Sequence, residues 1–322
     1  MSLLVLAAAA GAWYELRRPL TMPADALVLR VRPGASARSI ARDLHAAGIE
    51  VPDWEFLAAA RIEQATRQLR AGRYEVRRSA GLRGLIGQLQ RGEVLREQFT
   101  LVEGITFREL RRAINAAEDL RHDTAGWSEA QLLAALGAER PAAEGLFAPD
   151  TYTFDPGTSD LELLRQAYGA QAQRLARAWS DRPPELPYAD PYEALIMASI
   201  VEKETGLAAD RGLVAAVFVN RRRLGMPLQT DPTIIYGLGE KYEGRLHKRD
   251  LLADSPYNTY TRKGLPPTPI CLPGLASIEA ALHPQDSRVL YFVSRGDGTS
   301  EFSDSLAAHN RAVDRFQRAG VR

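Results

Sequence analysis

The chain has 322 residues, room for two or three domains and a sizeable core, and its 45% hydrophobic and 25% charged content excludes extensive disorder. Its 41 basic and 40 acidic residues leave a formal net charge of +1, so nothing draws the chain to nucleic acid. The lone cysteine, Cys271, excludes an intrachain disulfide and a cysteine-rich zinc site. His45, His122, His247, His283 and His309 form no HxxxH or HExxH spacing; they read as single structural histidines, and no metal site is expected.

Residues 1–20, MSLLVLAAAAGAWYELRRPL, carry about a dozen apolar residues followed by Arg17 and Arg18. A full membrane span needs roughly 20 residues. The segment reads as a short or truncated membrane anchor, or as a signal-like segment without its basic leader, and either reading favours work beyond a membrane.

Residues 25–118 contain a repeat: VRPGASARSIARDL from Val31, VRRSAGLRGLIGQL from Val76 and LVEGITFRELRRAI from Leu101. Nine positions after each start stand Ile40, Leu85 and Leu110, and thirteen after stand Leu44, Leu89 and Ile114. Each unit predicts a short strand, a turn with a helix cap and an amphipathic helix. The starts lie 45 and 25 residues apart, too irregular for a solenoid, so compact strand-turn-helix modules of a binding type are expected.

Residues 119–189 form a connecting helical region around the loop-like EGLFAPDTYTFDPGTS, which crowds Glu144, Asp150 and aromatic residues together. A helix is predicted from Ser159 to about Trp179, and the proline-rich DRPPELPYAD marks a boundary.

Residues 190–322 open with DPYEALIMASIVEKETG. Asp190 caps a helix, Pro191 suits its first position, Glu193 completes a capping box and Gly206 stops it. Between them the helix is apolar nearly all round, as buried helices are. Glu202 and Glu204 stand at its end. Residues three, four and seven apart share a face, so Glu204 looks back along Ile200, Met197 and Ile196, and Glu202 along Ser199, Ala198 and Leu195. The apolar stripe and the negative helix end both raise the pKa expected of Glu204, which would suit it to donate a proton. The alternative is that both acids mark where the helix meets water.

An amphipathic helix over Asp210 to Leu224 follows, with Leu213, Val217 and Leu224 on its inward stripe. Asn220 shares that stripe as a core hydrogen bond or a ligand contact. The arginine runs at Arg111 and Arg112 and at Arg221, Arg222 and Arg223 read as solvated faces. Beyond lie MPLQTDPTIIYGLG and DSPYNTYTRKGLPPTPICLPG, in which Gln229, Thr230, Asp231, Tyr257, Asn258, Thr259 and Tyr260 sit on proline-stiffened loops. Amides, hydroxyls and aromatic faces together suit a carbohydrate. RVLYFVSRGDGTSEF predicts a β-hairpin turning at Gly296 to Gly298, and LAAHNRAVDRF a closing helix. The fold class expected is α+β: N-terminal strand-turn-helix modules, then a mixed, helix-rich catalytic domain with a C-terminal β-hairpin.

ASIVEKETG, VFVNRRRLGMPLQTDPTIIYGLG, YNTYTRKGLPPTPI, ALHPQDSRVLYFVSRGDG, LAAHN and EGLFAPDTY closely resemble the YceG-like family of endolytic murein transglycosylases, over about residues 25 to 318. The resemblance implies LysM-like N-terminal modules and a bacterial enzyme held by a single N-terminal helix in the inner membrane, its catalytic domain in the periplasm. It implies cleavage of nascent peptidoglycan between N-acetylmuramic acid and N-acetylglucosamine, with a 1,6-anhydromuramyl end that terminates strand elongation. It places the catalytic acid at Glu204, leaves Glu202 as a supporting or alternative acid, and sets Thr205 where many lytic transglycosylases have serine. Asn220, Gln229, Thr230, Asp231, Tyr257, Asn258, Thr259 and Tyr260 are the candidate substrate-binding residues. Peptidoglycan glycan strands, the cytoplasmic membrane and, as a candidate, peptidoglycan synthases are the partners; no cofactor is expected. The N-terminal segment is shorter than the family's usual anchor and lacks its basic leader. Two other readings stand beside this one: a hydrolysing muramidase using Asp231 as second carboxylate, and a non-catalytic peptidoglycan-binding protein.

Overall fold

Two of the three repeats use the helix caps written into them, whereas the helix of the second starts after Ala80 with no side-chain cap. In the computed structural model, which describes residues 11, 14–32, 34–66 and 68–318, Ser36 accepts from the amide of Ser39 at the start of α1 (Ala37–Ala46). Thr106 and Glu109 form a reciprocal capping box on α4 (Phe107–Asn115), and Ser128 and Gln131 do so on α5 (Glu129–Leu136). The apolar N-terminal run, at residues 1–10, 12 and 13, lies outside the described residues. Among the described residues no helix is long and apolar enough to cross a membrane.

The chain divides into two compact units. The first runs to Phe99 and adds Glu118–Arg121 and Thr153–Ser159. Its strands β1 (Ala26–Val31) and β2 (Gly72–Arg77) pair antiparallel, with Ala26 opposite Arg77 and Val31 opposite Gly72. Helices α1 and α2 (Asp53–Ile62) lie between them in sequence, and α3 (Gly81–Arg91) follows β2. Val31, Ile40 and Leu44 of the first repeat share one core with Val76, Leu85 and Leu89 of the second, around Phe56 and Tyr74.

The third repeat belongs to the second unit, where Leu110 and Ile114 are fully buried. The three repeats are therefore not free-standing modules, although all six matched apolar positions are buried as their spacing requires. A single strand leaves its hydrogen-bonding groups unpaired, and one strand with one helix buries too little surface to hold alone. Strands β3 (Glu97–Thr100) and β4 (Thr151–Phe154) form a second two-stranded sheet.

The second unit is built on α7 (Pro191–Glu204). Asp190 caps it by accepting from the amide of Glu193, Pro191 takes its first turn, and every residue from Ala194 to Val201 is buried. It packs against α11 (Leu275–Leu282), α8 (Arg211–Arg223), α6 (Asp160–Ser180) and α9 (Asp231–Leu238). Ser199 in mid-helix returns its hydroxyl to the Ile196 carbonyl at 2.7 Å and accepts from the Ile270 amide at 3.0 Å, which fixes the proline-rich loop before α11. Gly145 of the EGLFAPDTY loop has φ of +79°, and a Cβ there would come within 2.5 Å of Pro269, so only glycine lets this loop lie against the other.

Helix α8 departs from the inward stripe expected of it. Val217 is buried, but Leu224 is 64% exposed, whereas Arg221 is only 8% exposed. Arg222 pairs with Glu193 at 2.5 Å. The arginine run is thus not a solvated face. The C-terminal hairpin forms as predicted, β5 (Tyr291–Ser294) against β6 (Ser300–Ser303), with Gly296 and Gly298 both at positive φ in its turn. Helix α12 (Leu306–Val313) closes the unit, capped by Ser305. The molecule is a mixed helix and strand protein with small sheets.

Candidate active site

Helix α7 ends inside a cleft of about 530 Å³ in the second unit. Glu204, its last residue, lines that cleft together with Gln229, Asp231 and Tyr260, with Arg221 of α8, with Tyr291 of β5, and with His309 of α12. Burial pushes the Glu204 carboxyl above the ordinary glutamate value, and the neighbouring Asp231 adds to the rise. The Thr230 hydroxyl donates to Glu204 Oε1 and opposes that rise without cancelling it. An acid in this state carries its proton at higher pH than a solvated glutamate and has a donor ready to hold the anion once the proton leaves.

The segment from 228 to 233 is built to present that donor. Gln229 stands at φ of +53°, a conformation that side chains rarely adopt, and its amide donates to the Thr259 carbonyl at 3.1 Å. The Thr230 amide donates to Thr259 Oγ1 at 3.0 Å, and the Thr230 carbonyl accepts from Thr233 Oγ1 at 2.8 Å. Thr230 and Thr259 are 1% and 3% exposed, so Thr259 serves as a strut and Thr230 acts on Glu204 from behind. Tyr260 donates its hydroxyl to Asp231 Oδ1 at 2.6 Å; burial and this bond raise its pKa, so it remains a neutral phenol.

The other carboxylate of the motif is committed elsewhere. Glu202 Oε2 accepts from the amide of Gly274 at 3.0 Å, capping the N-terminus of α11, where a negative charge is favoured. Thr205 returns its hydroxyl to the Val201 carbonyl at 2.7 Å and closes the end of α7.

Three further residues expected at the site lie away from the cleft or are already fully engaged. Asn220 donates its amide to the Ser287 and Val289 carbonyls at 2.8 and 3.0 Å, tethering the segment before β5. Asn258, 1% exposed, donates to the carbonyls of Asp250, Leu251 and Ala253 and accepts from the Tyr260 and Thr261 amides. That side chain holds the loop that carries Thr259 and Tyr260. Tyr257 shares a hydrogen bond with Thr268 at 2.8 Å and sets its ring edge against Tyr236, 5.0 Å between centroids.

Tyr236 in turn hydrogen-bonds Glu144, a 4% exposed acid that also accepts from the Phe107 amide at 2.8 Å. Burial pushes the Glu144 carboxyl up to about 7. The crowded EGLFAPDTY loop was the only sequence signal for it.

Arg221, Tyr291 and His309 were missed as site residues. Tyr291 stacks on His309, 5.2 Å between centroids and 24° between planes. Partial burial, with the positive charge of Arg221, holds the His309 imidazole below its ordinary pKa. Among the described residues no group of acids, histidines and cysteines could hold a metal ion.

A model described as the YceG-like family matches residues 29–315. A Bacillus subtilis (strain 168) protein named endolytic murein transglycosylase is 39% identical over 173 residues, 54% of this chain and 48% of its own length. A Streptococcus pneumoniae (serotype 2, strain D39) protein of the same name is 27% identical over 338 residues, 93% of this chain and 61% of its own length. The chain thus spans about half to three fifths of these relatives. The crystal structure of a yceG-like protein from Listeria monocytogenes superposes with a TM-score of 0.56 at 28% identity, covering 89% of this chain and 98% of that one. Because the family match runs from within β1 to just beyond α12 and takes in the cleft and its buried acid, the chain belongs to the YceG-like family.

Proposed function

We propose that the chain is an endolytic lytic transglycosylase that cuts peptidoglycan strands between N-acetylmuramic acid and N-acetylglucosamine and leaves a 1,6-anhydromuramyl end. The observation that carries this reading is Glu204: a half-buried acid of raised pKa, opening into a cleft, with its donor Thr230 fixed behind it. The relatives named endolytic murein transglycosylase support it.

The protonated Glu204 gives its proton to the glycosidic oxygen as the bond from the muramyl anomeric carbon breaks. The muramyl 6-hydroxyl then attacks that carbon and returns its proton to the Glu204 carboxylate, so the acid ends as it began. Thr230 stabilises the carboxylate between the two steps. An internal hydroxyl competes with water because it is held at high effective concentration. The neutral Tyr260 phenol offers a ring for sugar stacking at the cleft wall.

Glu204→Gln keeps size but cannot donate the proton, and it is expected to lose about 100-fold to 10,000-fold of anhydromuramyl product while remaining folded. Full activity in that variant would end the proposal. A hydrolysing muramidase is the second reading, favoured by the presence of Asp231 in the same cleft. Mass spectrometry separates the two, since an anhydro end is one water lighter than a hydrolysed one. For the first unit the proposal is a LysM-like glycan-binding role, supported by its strand-helix-helix-strand order. Attachment to the inner membrane, action in the periplasm and contact with peptidoglycan synthases complete the proposal, supported by the apolar N-terminal sequence and the substrate. Fractionation that finds the activity in the cytosol would contradict the location.

A further inference from the structure

Arg221 brings to the cleft a positive charge that no carboxylate among the described residues pairs with. The residue is 8% exposed, its Nε donates to the Leu290 carbonyl at 2.7 Å and its Nη1 to the Leu228 carbonyl at 2.8 Å. Its guanidinium carbon lies 5.0 Å from the centre of the Tyr291 ring. Nη2 has no acceptor among the described residues.

The two acids of the cleft are engaged with other groups, Glu204 with Thr230 and Asp231 with Tyr260. The groups that feel the Arg221 charge are the phenols of Tyr291 and Tyr260 and the imidazole of His309. Taking a guanidinium out of water without a counter-ion is costly, and two carbonyls and a ring face offset only part of that cost. Tying two backbone segments together does not require a full charge. A full charge lining a cleft is suited to an anion that arrives with the ligand.

We propose that Arg221 is a carboxylate-binding subsite, receiving at Nη2 a carboxylate carried by the murein strand beside the bond cut at Glu204. The inference rests on the reading of the cleft as a glycan-cutting site. The two alternating sugars of murein differ in the lactyl ether of the muramic residue, which bears a carboxylate or, when amidated, a peptide with carboxylates of its own. A cation at a fixed place beside Glu204 would distinguish the sugars and set which of the two glycosidic bonds meets the acid.

The test uses four substrates: strands stripped of peptide, with the lactyl carboxylate free or converted to its methylamide, and peptide-bearing strands, with the peptide carboxylates free or amidated. The readout is kcat/KM for anhydromuramyl product. Amidation of the recognised carboxylate should lower the wild-type value about 10-fold to 100-fold, the range of a hydrogen bond to a charged group. The pair that responds identifies lactyl or peptide as the source. Arg221→Gln, which removes the charge, should start lower and no longer respond.

The substrate comparison needs only the wild-type protein, so it stands even if the variant fails to fold. An unchanged wild-type kcat/KM in both pairs would overturn the proposal, as would an Arg221→Gln enzyme as sensitive to amidation as wild type. Absence of any strand cleavage, with an anhydro or a hydrolysed end, from all four substrates would instead overturn the glycan-cutting reading beneath it.

Discussion

Thr230→Val isolates the one contact that tunes the acid. Valine matches the shape of threonine, and the backbone bonds of residue 230, its amide to Thr259 and its carbonyl from Thr233, do not involve the hydroxyl that is lost. Only the donor to Glu204 Oε1 goes. A hydrogen bond to a charged group is worth about 1.5–3 kcal/mol and one between neutral groups about 0.5–1.5 kcal/mol. The carboxylate therefore loses about 1–1.5 kcal/mol more than the protonated acid does, which raises the Glu204 pKa by about one further unit. An enzyme that needs Glu204 protonated loses activity as pH rises through that pKa, so the alkaline limb of kcat/KM should move up by about one pH unit. The assay is anhydromuramyl release across pH, with equilibrium unfolding as the control for the fold. An alkaline limb that stays in place, or moves to lower pH, would refute the coupling of Thr230 to the acid.

Glu202→Gln is expected to keep catalysis within about 10-fold and to lose about 1 kcal/mol of stability, because it weakens a charged cap on α11 rather than removing a reactive group; loss of all turnover in a folded protein would make Glu202 the acid. Glu144 has its folded pKa raised from 4.5 to about 7, so the stability linked to it is intact below about pH 4.5 and is lost as pH rises toward 7 and beyond, by about 3 kcal/mol. Glu144→Gln should therefore flatten the fall in stability between about pH 5 and 8, as urea midpoints would show, and an unchanged slope would count against it. Asn258→Ala strips five hydrogen bonds from the loop behind the cleft and is expected to lower stability by about 2–4 kcal/mol. Unchanged stability with weakened glycan binding would return this residue to the ligand.

What the sequence made legible are properties decided within one element. The stripe under Glu204 belongs to its own helix, and the offsets that bury Ile40, Leu44, Leu85 and Leu89 belong to theirs, so periodicity reached both. What it did not make legible are partners across the chain. Glu202 meets Gly274 72 residues on, Asn220 meets Val289 69 residues on, and Thr230 reaches back 26 residues to Glu204. Asn258 was suited to a sugar by composition, and only the carbonyls of α10 (Lys248–Leu252) and the residue after it reveal that the amide is already occupied.

Arg221 shows the limit most sharply. In a run of three arginines a solvated face is the default, and the stripe favoured Leu224 for the interior. The fold instead supplies two carbonyls, at Leu228 and Leu290, that let an arginine be buried, and an arginine so held keeps its charge where leucine would have none. The choice between the two residues was settled by acceptors on other segments, one of them 69 residues away, and those acceptors are also what turn a surface charge into a cleft charge.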